Sequence, residues 1–330
     1  MKTLLKILKW TGIVLGILLI GLFIAGYILY NKTYTAPYPD LHASTDSAMI
    51  AHGKHLVTAT AHCVECHFKP GDSMLVMNGE EVQLAGGGFP FIFPGGAFYS
   101  KNISSDKETG IGNYTDQEIA RALRYGVKRD GTVLIPAMEF QNLSDEDITA
   151  ILSYLRTVPP VSHQVPENDF NLFGKAIMAF FIRPAGPATT PPKTMVADTT
   201  VAYGEYLAQS VSNCKGCHTY RNMNTGAYEG EPLAGGPVEP LRTDPTKMLV
   251  APNLTPDPET GHIYYWNFDL FKTRFSQGYV IKESIMPWGQ FRHLNDTELK
   301  AIWKYLHSVK PVHKVSSPAI MDVKELEKQK

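Results

Sequence analysis

All four cysteines of this chain of 330 residues stand in two copies of one pentapeptide, CVECH at 63–67 and CKGCH at 214–218. On a helical turn, residues three and four apart share a face, so two thiols and the following imidazole project to one side. This pattern is typical of covalent haem attachment, with two thioether bonds and an axial histidine. We therefore predict two covalently bound haems c. The predicted haem-binding residues are Cys63, Cys66 and His67 in the first copy and Cys214, Cys217 and His218 in the second.

Other uses of paired cysteines are a disulfide, a dithiol redox pair and a four-cysteine zinc site. None of them explains why a histidine follows both pairs. A zinc site would also have to close across the 151 positions that separate Cys63 from Cys214. These considerations favour haem.

The pentapeptides belong to a longer internal repeat with the same spacing of 151 positions. The repeated residues of the first copy include Gly53, Leu56, Asn102, Asp106, Glu108, Thr109, Gly110, Phe140, Leu143, Asp145, Ala150, Ile151, Tyr154, Leu155 and Pro160. The register slips by two residues at the glycine runs 84–87 and 233–236 and is restored by Asn253. Each repeat is about a hundred residues long, the usual size of one domain.

The signals within each repeat are helical. Capping patterns begin at Thr115, Ser144 and Asn295, and the last two precede apolar residues at i, i+3, i+4 and i+7 spacing. Gly126 is placed to end the helix that Thr115 begins. Glycine- and proline-rich loops separate each pentapeptide from the later helices. The sequence therefore predicts a mostly α fold in which haem forms much of the core.

A haem that only carries electrons needs a second axial ligand, and methionine favours a high potential. In the second repeat the candidate is Met286, which is followed by Pro287 and Trp288. In the first repeat it is Met138, although the position that aligns with Met286 is Ile135. We predict His67 with Met138 on one iron and His218 with Met286 on the other, from loops that differ by about one turn.

Three histidines near the first pentapeptide, His52, His55 and His62, are alternative axial ligands. Polar residues at the surface explain them better, because histidine is mostly at least partly exposed in proteins.

Twenty consecutive uncharged residues, from Thr11 to Tyr30, follow Lys2, Lys6 and Lys9. This length spans a bilayer, and the lysines favour an amino terminus in the cytoplasm. A cleaved signal peptide is the alternative, but no small-x-small site lies near Tyr30. We predict a single-pass anchor in the cytoplasmic membrane, with the remainder on the periplasmic side.

The predicted organisation follows from these features: a cytoplasmic stub (1–9), a transmembrane anchor (10–30), a linker (31–47), a first domain (48–160), an interdomain linker (161–198), a second domain (199–313) and a charged tail (314–330). The interdomain linker contains an apolar helix at about 170–182 that is too short to span a bilayer. We expect this helix to pack between the two domains; an alternative is that it lies in the membrane interface.

The runs from Pro136 to Pro160 and from Met286 to Pro311 resemble the ligand loop and terminal helix of class I cytochrome c domains. An amino-terminal apolar segment followed by two such domains is similar to bacterial membrane-anchored dihaem cytochromes c, relatives of the cytochrome subunits of alcohol and gluconate dehydrogenases. The resemblance covers residues 48–313 and implies two tandem class I cytochrome c domains that transfer electrons.

We accordingly expect an electron carrier rather than an enzyme, with a dehydrogenase, an oxidase or a soluble cytochrome as its redox partner. The alternative is a dihaem peroxidase, which would need an open iron, whereas each repeat offers a methionine. The net charge of −1 and the interspersed charges give no sign of a nucleic-acid partner.

Overall fold

The computed structural model describes residues 2–222, 227–241, 243–281, 283–316 and 319–327. The helices are α1 (Lys2–Leu29), α2 (Ser47–His55), α3 (Val64–His67), α4 (Ser73–Asn78), α5 (Asp116–Tyr125), α6 (Asp145–Leu155), α7 (Leu172–Phe180), α8 (Val201–Tyr206), α9 (Cys214–His218), α10 (Phe268–Ser276), α11 (Trp288–Phe291), α12 (Asp296–Ser308) and α13 (Val323–Glu327). Two π-helical turns, Leu56–Thr60 and Leu207–Val211, directly continue α2 and α8.

Helix predominates over strand, as predicted, but two small antiparallel sheets were not expected. The first sheet has the order β1 (Pro90–Phe93), β2 (Gly96–Tyr99) and β3 (Asp169–Phe170), and the second has β4 (Gly236–Leu241), β5 (Asp244–Ala251) and β6 (Ile320–Asp322). Both hairpins fall in the glycine- and proline-rich segments that were interpreted as loops. The segment expected as a charged tail supplies β6, although residues 317–318 and 328–330 lie outside the described residues.

The same helix crossing occurs in both repeats, where α2 packs on α6 and α8 packs on α12. A Cβ atom on Gly53 would lie 1.8 Å from the carbonyl oxygen of Ala150, and one on Gly204 would lie 2.0 Å from that of Ala301. Only glycine allows this approach of the two backbones. The crossing explains why these glycines recur at the repeat spacing.

The two repeats share one apolar core and exchange equivalent polar contacts. His55 Nε2 of the first repeat lies 2.8 Å from Glu298 Oε1 of the second. In return, the Tyr206 hydroxyl of the second repeat donates to the Asp147 carboxylate of the first. His55 and Tyr206 are equivalent positions of the repeat, as are Asp147 and Glu298. The two π-helical turns also contact each other, which brings the pentapeptides that follow them close to the interface.

The amino-terminal helix stands apart from this core. Within residues Thr3–Leu29 of α1, an 18-residue window has a mean hydropathy of 2.6, and only 6% of that window is buried. Helix α1 is therefore long and apolar enough to cross a membrane. The predicted apolar helix is α7, and it packs against α1 and β3. Its observed partners thus differ from the expected position between the repeats.

Candidate haem sites

A residue in the left-handed conformation lies directly before each pentapeptide, two positions after the end of the π-helical turn. This residue is His62 in the first repeat, with φ of 42°, and Asn213 in the second, with φ of 49°. Asparagine and histidine tolerate this conformation better than most residues. The His62 ring also packs edge-on against Phe291 of the second repeat, with the ring centroids 5.2 Å apart. This conformation interrupts the helical backbone, and the short helix that holds the thiols and the imidazole follows directly.

The predicted axial histidines are both buried, and each is held by one backbone carbonyl. His67 Nδ1 donates to the carbonyl oxygen of Lys101 over 2.7 Å, and His218 Nδ1 donates to that of Pro252 over 2.9 Å. A carbonyl only accepts, so Nδ1 carries the proton and Nε2 keeps its lone pair. Burial lowers the pKa of His67 and lowers that of His218 to about 4, which keeps both rings neutral at neutral pH. A neutral imidazole with a free Nε2 is the form that binds a metal.

The carbonyls that hold the histidines were missed by the sequence analysis, because a backbone acceptor has no residue signature. A signal was nevertheless present, since a repeated asparagine follows each of them. Asn102 Nδ2 donates to the Val161 carbonyl oxygen over 2.8 Å and to Thr109 Oγ1 over 3.1 Å. Asn253 makes the equivalent bonds in the second repeat. This repeated loop fixes the position of the acceptor for the histidine.

The four cysteine thiols are free. Burial raises the pKa of Cys63 and Cys214 to about 12, which disfavours the thiolate that a reactive dithiol pair requires. Within the described ranges, no group of three or more His, Cys, Asp or Glu side chains is arranged to hold a metal ion. This arrangement does not fit a four-cysteine zinc site. Paired free thiols beside a buried histidine with a free Nε2 do fit covalent haem.

The two predicted methionine ligands are both half-buried against the apolar core. Their loops begin with the same turn, because the Trp288 N–H donates to the Met286 carbonyl over 2.7 Å and the Ala137 N–H donates to the Ile135 carbonyl over 2.7 Å. Ile135 and Met286 therefore occupy equivalent backbone positions. Met138 comes three residues later in its loop.

Two of the histidines considered as alternative ligands are engaged elsewhere. His52 Nε2 lies 2.7 Å from Asp147 Oδ1, and His55 Nε2 contacts Glu298. The hydrogen bond to Asp147 raises the pKa of His52. These two histidines are therefore paired with carboxylates at the interface rather than free at the surface.

Comparison with known proteins agrees with this geometry. The chain is 31% identical over 282 residues to the cytochrome c subunit of a quinone-type alcohol dehydrogenase from Gluconobacter oxydans, an alignment of 81% of this chain and 56% of that protein. It is also 31% identical to the cytochrome subunit of a fructose dehydrogenase from Gluconobacter japonicus, over 83% of this chain and 55% of that protein. The predicted resemblance is confirmed.

A third relative is a dihaem c-type cytochrome from Cereibacter sphaeroides, which is 26% identical over 59% of this chain and 63% of its own length. No model of a protein family matches the sequence. The chain spans little more than half the length of the dehydrogenase subunits it matches. The similarity of the chain to these cytochrome subunits supports a function in electron transfer.

Proposed function

We propose that this chain is a dihaem c-type cytochrome that carries electrons and performs no substrate chemistry of its own. The observation that carries the proposal is the matched placement of His67 and His218, each buried and hydrogen-bonded through Nδ1 to a backbone carbonyl. When bound, haem supplies reversible one-electron chemistry at its iron. Cys63, Cys66, Cys214 and Cys217 would attach the two groups, and the histidines would ligate them.

The protein's own contribution is to orient the ligands and exclude water. The Lys101 and Pro252 carbonyls fix the tautomer and the ring plane of the histidines, and such bonds raise the basicity of a ligating imidazole. Met138 and Met286, from loops packed on the apolar core, would supply the second protein ligand to each iron. A closed site suits a carrier, because no substrate needs to reach the metal.

Contacts between the repeats support transfer between the two sites. Glu139, next to Met138, pairs with the Arg221 guanidinium and accepts a hydrogen bond from the Tyr228 hydroxyl over 2.9 Å. Arg221 follows the second pentapeptide by three residues. The ligand loop of the first site is thus joined directly to the segment that follows the second pentapeptide. These contacts fix the distance and orientation between the two sites.

The location and the partner complete the proposal. Helix α1 would anchor the chain in the cytoplasmic membrane, and the two repeats would form tandem class I cytochrome c domains on the periplasmic side. Because the relatives are cytochrome subunits of dehydrogenases, we propose a dehydrogenase as the electron donor. Affinity purification of the detergent-extracted chain, followed by identification of bound subunits, tests this partner; recovery of an oxidase in place of a dehydrogenase would contradict it.

Haem content and ligand access test the central proposal. The purified protein should keep two haems per chain after acid–acetone extraction, because thioether bonds survive it. The reduced protein should bind almost no carbon monoxide and the oxidised protein should react slowly with peroxide, since both irons are closed. Extraction of the haem into the organic phase would contradict covalent attachment, and a peroxide-reactive haem would support the dihaem peroxidase alternative.

A further inference from the structure

We infer that α7 and the tip of the β1–β2 hairpin form a second membrane-contacting surface, inserted in the outer leaflet beside α1. This inference rests on the proposed anchor and extends it from one transmembrane helix to a broader docking face. The occupant to which we commit is the lipid bilayer. We call the exposed apolar residues of these elements the α7–hairpin surface: Ile92, Leu172, Phe173 and Phe181.

The first step is the close packing of α7 along the carboxyl-terminal part of α1. A Cβ atom on Gly26 would lie 3.2 Å from the Cα atom of Ala176, so the two helices touch through small residues. The Lys32 ammonium donates to the Ala179 carbonyl over 3.3 Å, and the Tyr34 hydroxyl donates to the Ile182 carbonyl over 3.4 Å. The two segments therefore run in the same direction, and these contacts fix the position of α7 on α1.

The second step is the depth that this packing imposes. Leu172, at the start of α7, lines an apolar groove with Ile20, Phe23, Ile24 and Tyr27 of α1. At 1.5 Å per residue, Ile20 lies about 15 Å below Tyr30, the last residue of the uncharged span. An uncharged span of about 30 Å matches the hydrocarbon core, so the beginning of α7 lies within its outer half.

The third step brings the hairpin to the same level. The Asn171 side chain donates to the Pro94 carbonyl over 2.8 Å, and the Asn171 N–H donates to the Gly95 carbonyl over 3.1 Å. A Cβ atom on Gly95 would lie 2.8 Å from the Cα atom of Gly174. The turn between β1 and β2 is therefore bound to the amino-terminal end of α7. The phenylalanine-rich strand β1 directly precedes this turn.

Large apolar side chains are exposed on α7 and on the tip of the hairpin, beside the polar residues Asn171 and Asp169. Ile92 is 78% exposed, Phe181 is 77% exposed and Phe173 is 56% exposed. Isolated exposed apolar residues are ordinary, but Phe173 and Phe181 belong to a helix packed on α1, which itself exposes apolar side chains. Ile92 belongs to a hairpin whose turn is bound to that helix. Because these side chains adjoin the exposed apolar side chains of α1, we infer that the same lipid covers both.

Charge placement agrees with an interfacial depth. The Lys175 ammonium lies 4.5 Å from the ring centroid of Tyr27 and 5.0 Å from that of Tyr30. Tyrosine and lysine are favoured at the boundary between hydrocarbon and headgroups. Arg183 stands exposed one residue beyond Ile182, near the upper end of α7, where anionic headgroups attract a guanidinium. Lys175 and Arg183 thus lie on the headgroup side of Leu172 and Phe173.

Labelling of introduced cysteines tests the proposal on the full-length protein. The variants are Ile92→Cys, Phe173→Cys and Phe181→Cys, which lie on two separate elements. The controls are Ile17→Cys in α1 and Tyr265→Cys, an 80% exposed residue of the second repeat. Each purified holoprotein is placed in nanodiscs of phosphatidylethanolamine and phosphatidylglycerol and treated with a membrane-impermeant maleimide. In the holoprotein the proposed thioether bonds would occupy the four native thiols, which then do not compete for the maleimide. No partner protein is present, so protection must come from lipid.

A maleimide reacts with the thiolate, which does not form in hydrocarbon, so Ile92→Cys and Phe173→Cys should label about tenfold or more slowly than Tyr265→Cys. Phe181→Cys, which lies level with Lys32 and Tyr34 at the headgroup boundary, should label at an intermediate rate. Labelling of all three at the Tyr265→Cys rate, while Ile17→Cys stays protected, would overturn the surface and leave the anchor intact. An amino terminus of the mature protein beyond residue 30 would overturn both. Haem content measured on the same samples reports separately on the electron-transfer proposal.

Discussion

The ligand loops of the two repeats start from the same backbone turn but are held by different chemistry. In the second repeat the Trp288 ring is buried, its Nε1 donates to Ser284 Oγ over 3.1 Å, and the Arg274 guanidinium lies 3.5 Å from its centroid. The first repeat has Ala137 at the position equivalent to Trp288 and therefore has no aromatic residue there. Aromatic packing of this kind is therefore confined to the second loop.

In the first repeat, a buried arginine performs the equivalent task. The Arg124 guanidinium donates to the carbonyl oxygen of Gln141 over 2.9 Å, to that of Leu143, and to Asp145 Oδ1 over 2.7 Å. Both supports come from the helix before the loop, α5 in one repeat and α10 in the other. The arginines that hold the two loops lie in α5 and α10, outside the loops themselves. The same arrangement of helices can therefore accommodate a methionine three residues further along the first loop.

The largest expected effect follows removal of each predicted methionine ligand. Met286→Ala should open the second iron to carbon monoxide and lower its potential by on the order of 100 mV, because thioether ligation favours the ferrous state. Met138→Ala should do the same at the first iron. Spectroelectrochemical titration of each variant, with carbon monoxide binding followed by absorbance, measures both effects.

Ile135→Ala is the matched control, because Ile135 stands at the position equivalent to Met286. It should leave both potentials and carbon monoxide binding unchanged. If Ile135→Ala opens the first iron while Met138→Ala does not, the predicted ligand of the first repeat is wrong.

The next effect concerns the supports of the loops. Arg124→Leu leaves two backbone carbonyls without their donor, and we expect a loss of about 2–4 kcal/mol in the free energy of unfolding. Trp288→Phe keeps an aromatic ring and should cost less, about 1–2 kcal/mol. Denaturant unfolding in detergent, followed by circular dichroism, gives both values.

Lys128→Ala, at a half-exposed residue three positions after Tyr125, is the control and should change stability little. A smaller loss for Arg124→Leu than for Trp288→Phe would show that the arginine does not support the first loop.

The smallest expected effect is a pH dependence at the interface. The pKa of His52 is raised by its hydrogen bond to Asp147, so the stabilisation is fully present below the unfolded-state pKa and is lost as pH rises through the higher folded-state pKa. His52→Asn should therefore destabilise the protein more at about pH 6 than at about pH 9, by less than about 1 kcal/mol because the ring is partly exposed. Unfolding midpoints of wild type and variant at the two pH values measure this difference; an equal or larger effect at high pH would contradict the pairing.

Local sequence signals predicted the helices with known start patterns. Capping boxes are present at Thr115 and Asn295, and Ser144 caps α6 through the Asp147 N–H, as expected. Gly126 ends α5 in a left-handed conformation. Such signals act over three or four residues, so the sequence alone carries them.

The features that sequence analysis missed depend on contacts distant along the chain. The acceptor for His67 is a backbone carbonyl 34 residues away, and β3 pairs with β2 across about 70 residues. Helix α7 packs closely on α1 at Gly26. The pattern of apolar residues within α7 does not indicate this partner.

The reciprocal contacts of His55 with Glu298 and of Tyr206 with Asp147 have the form of an isologous interface, in which one patch meets its own copy. Two separate subunits of one kind, related by a two-fold axis, would touch each other in this way. Joined in one chain, the two copies need no association constant to stay together, and their effective concentration is set by the linker. Unlike the two halves of an isologous dimer, the two halves of this interface need not be identical, and a histidine and a tyrosine accordingly occupy equivalent positions.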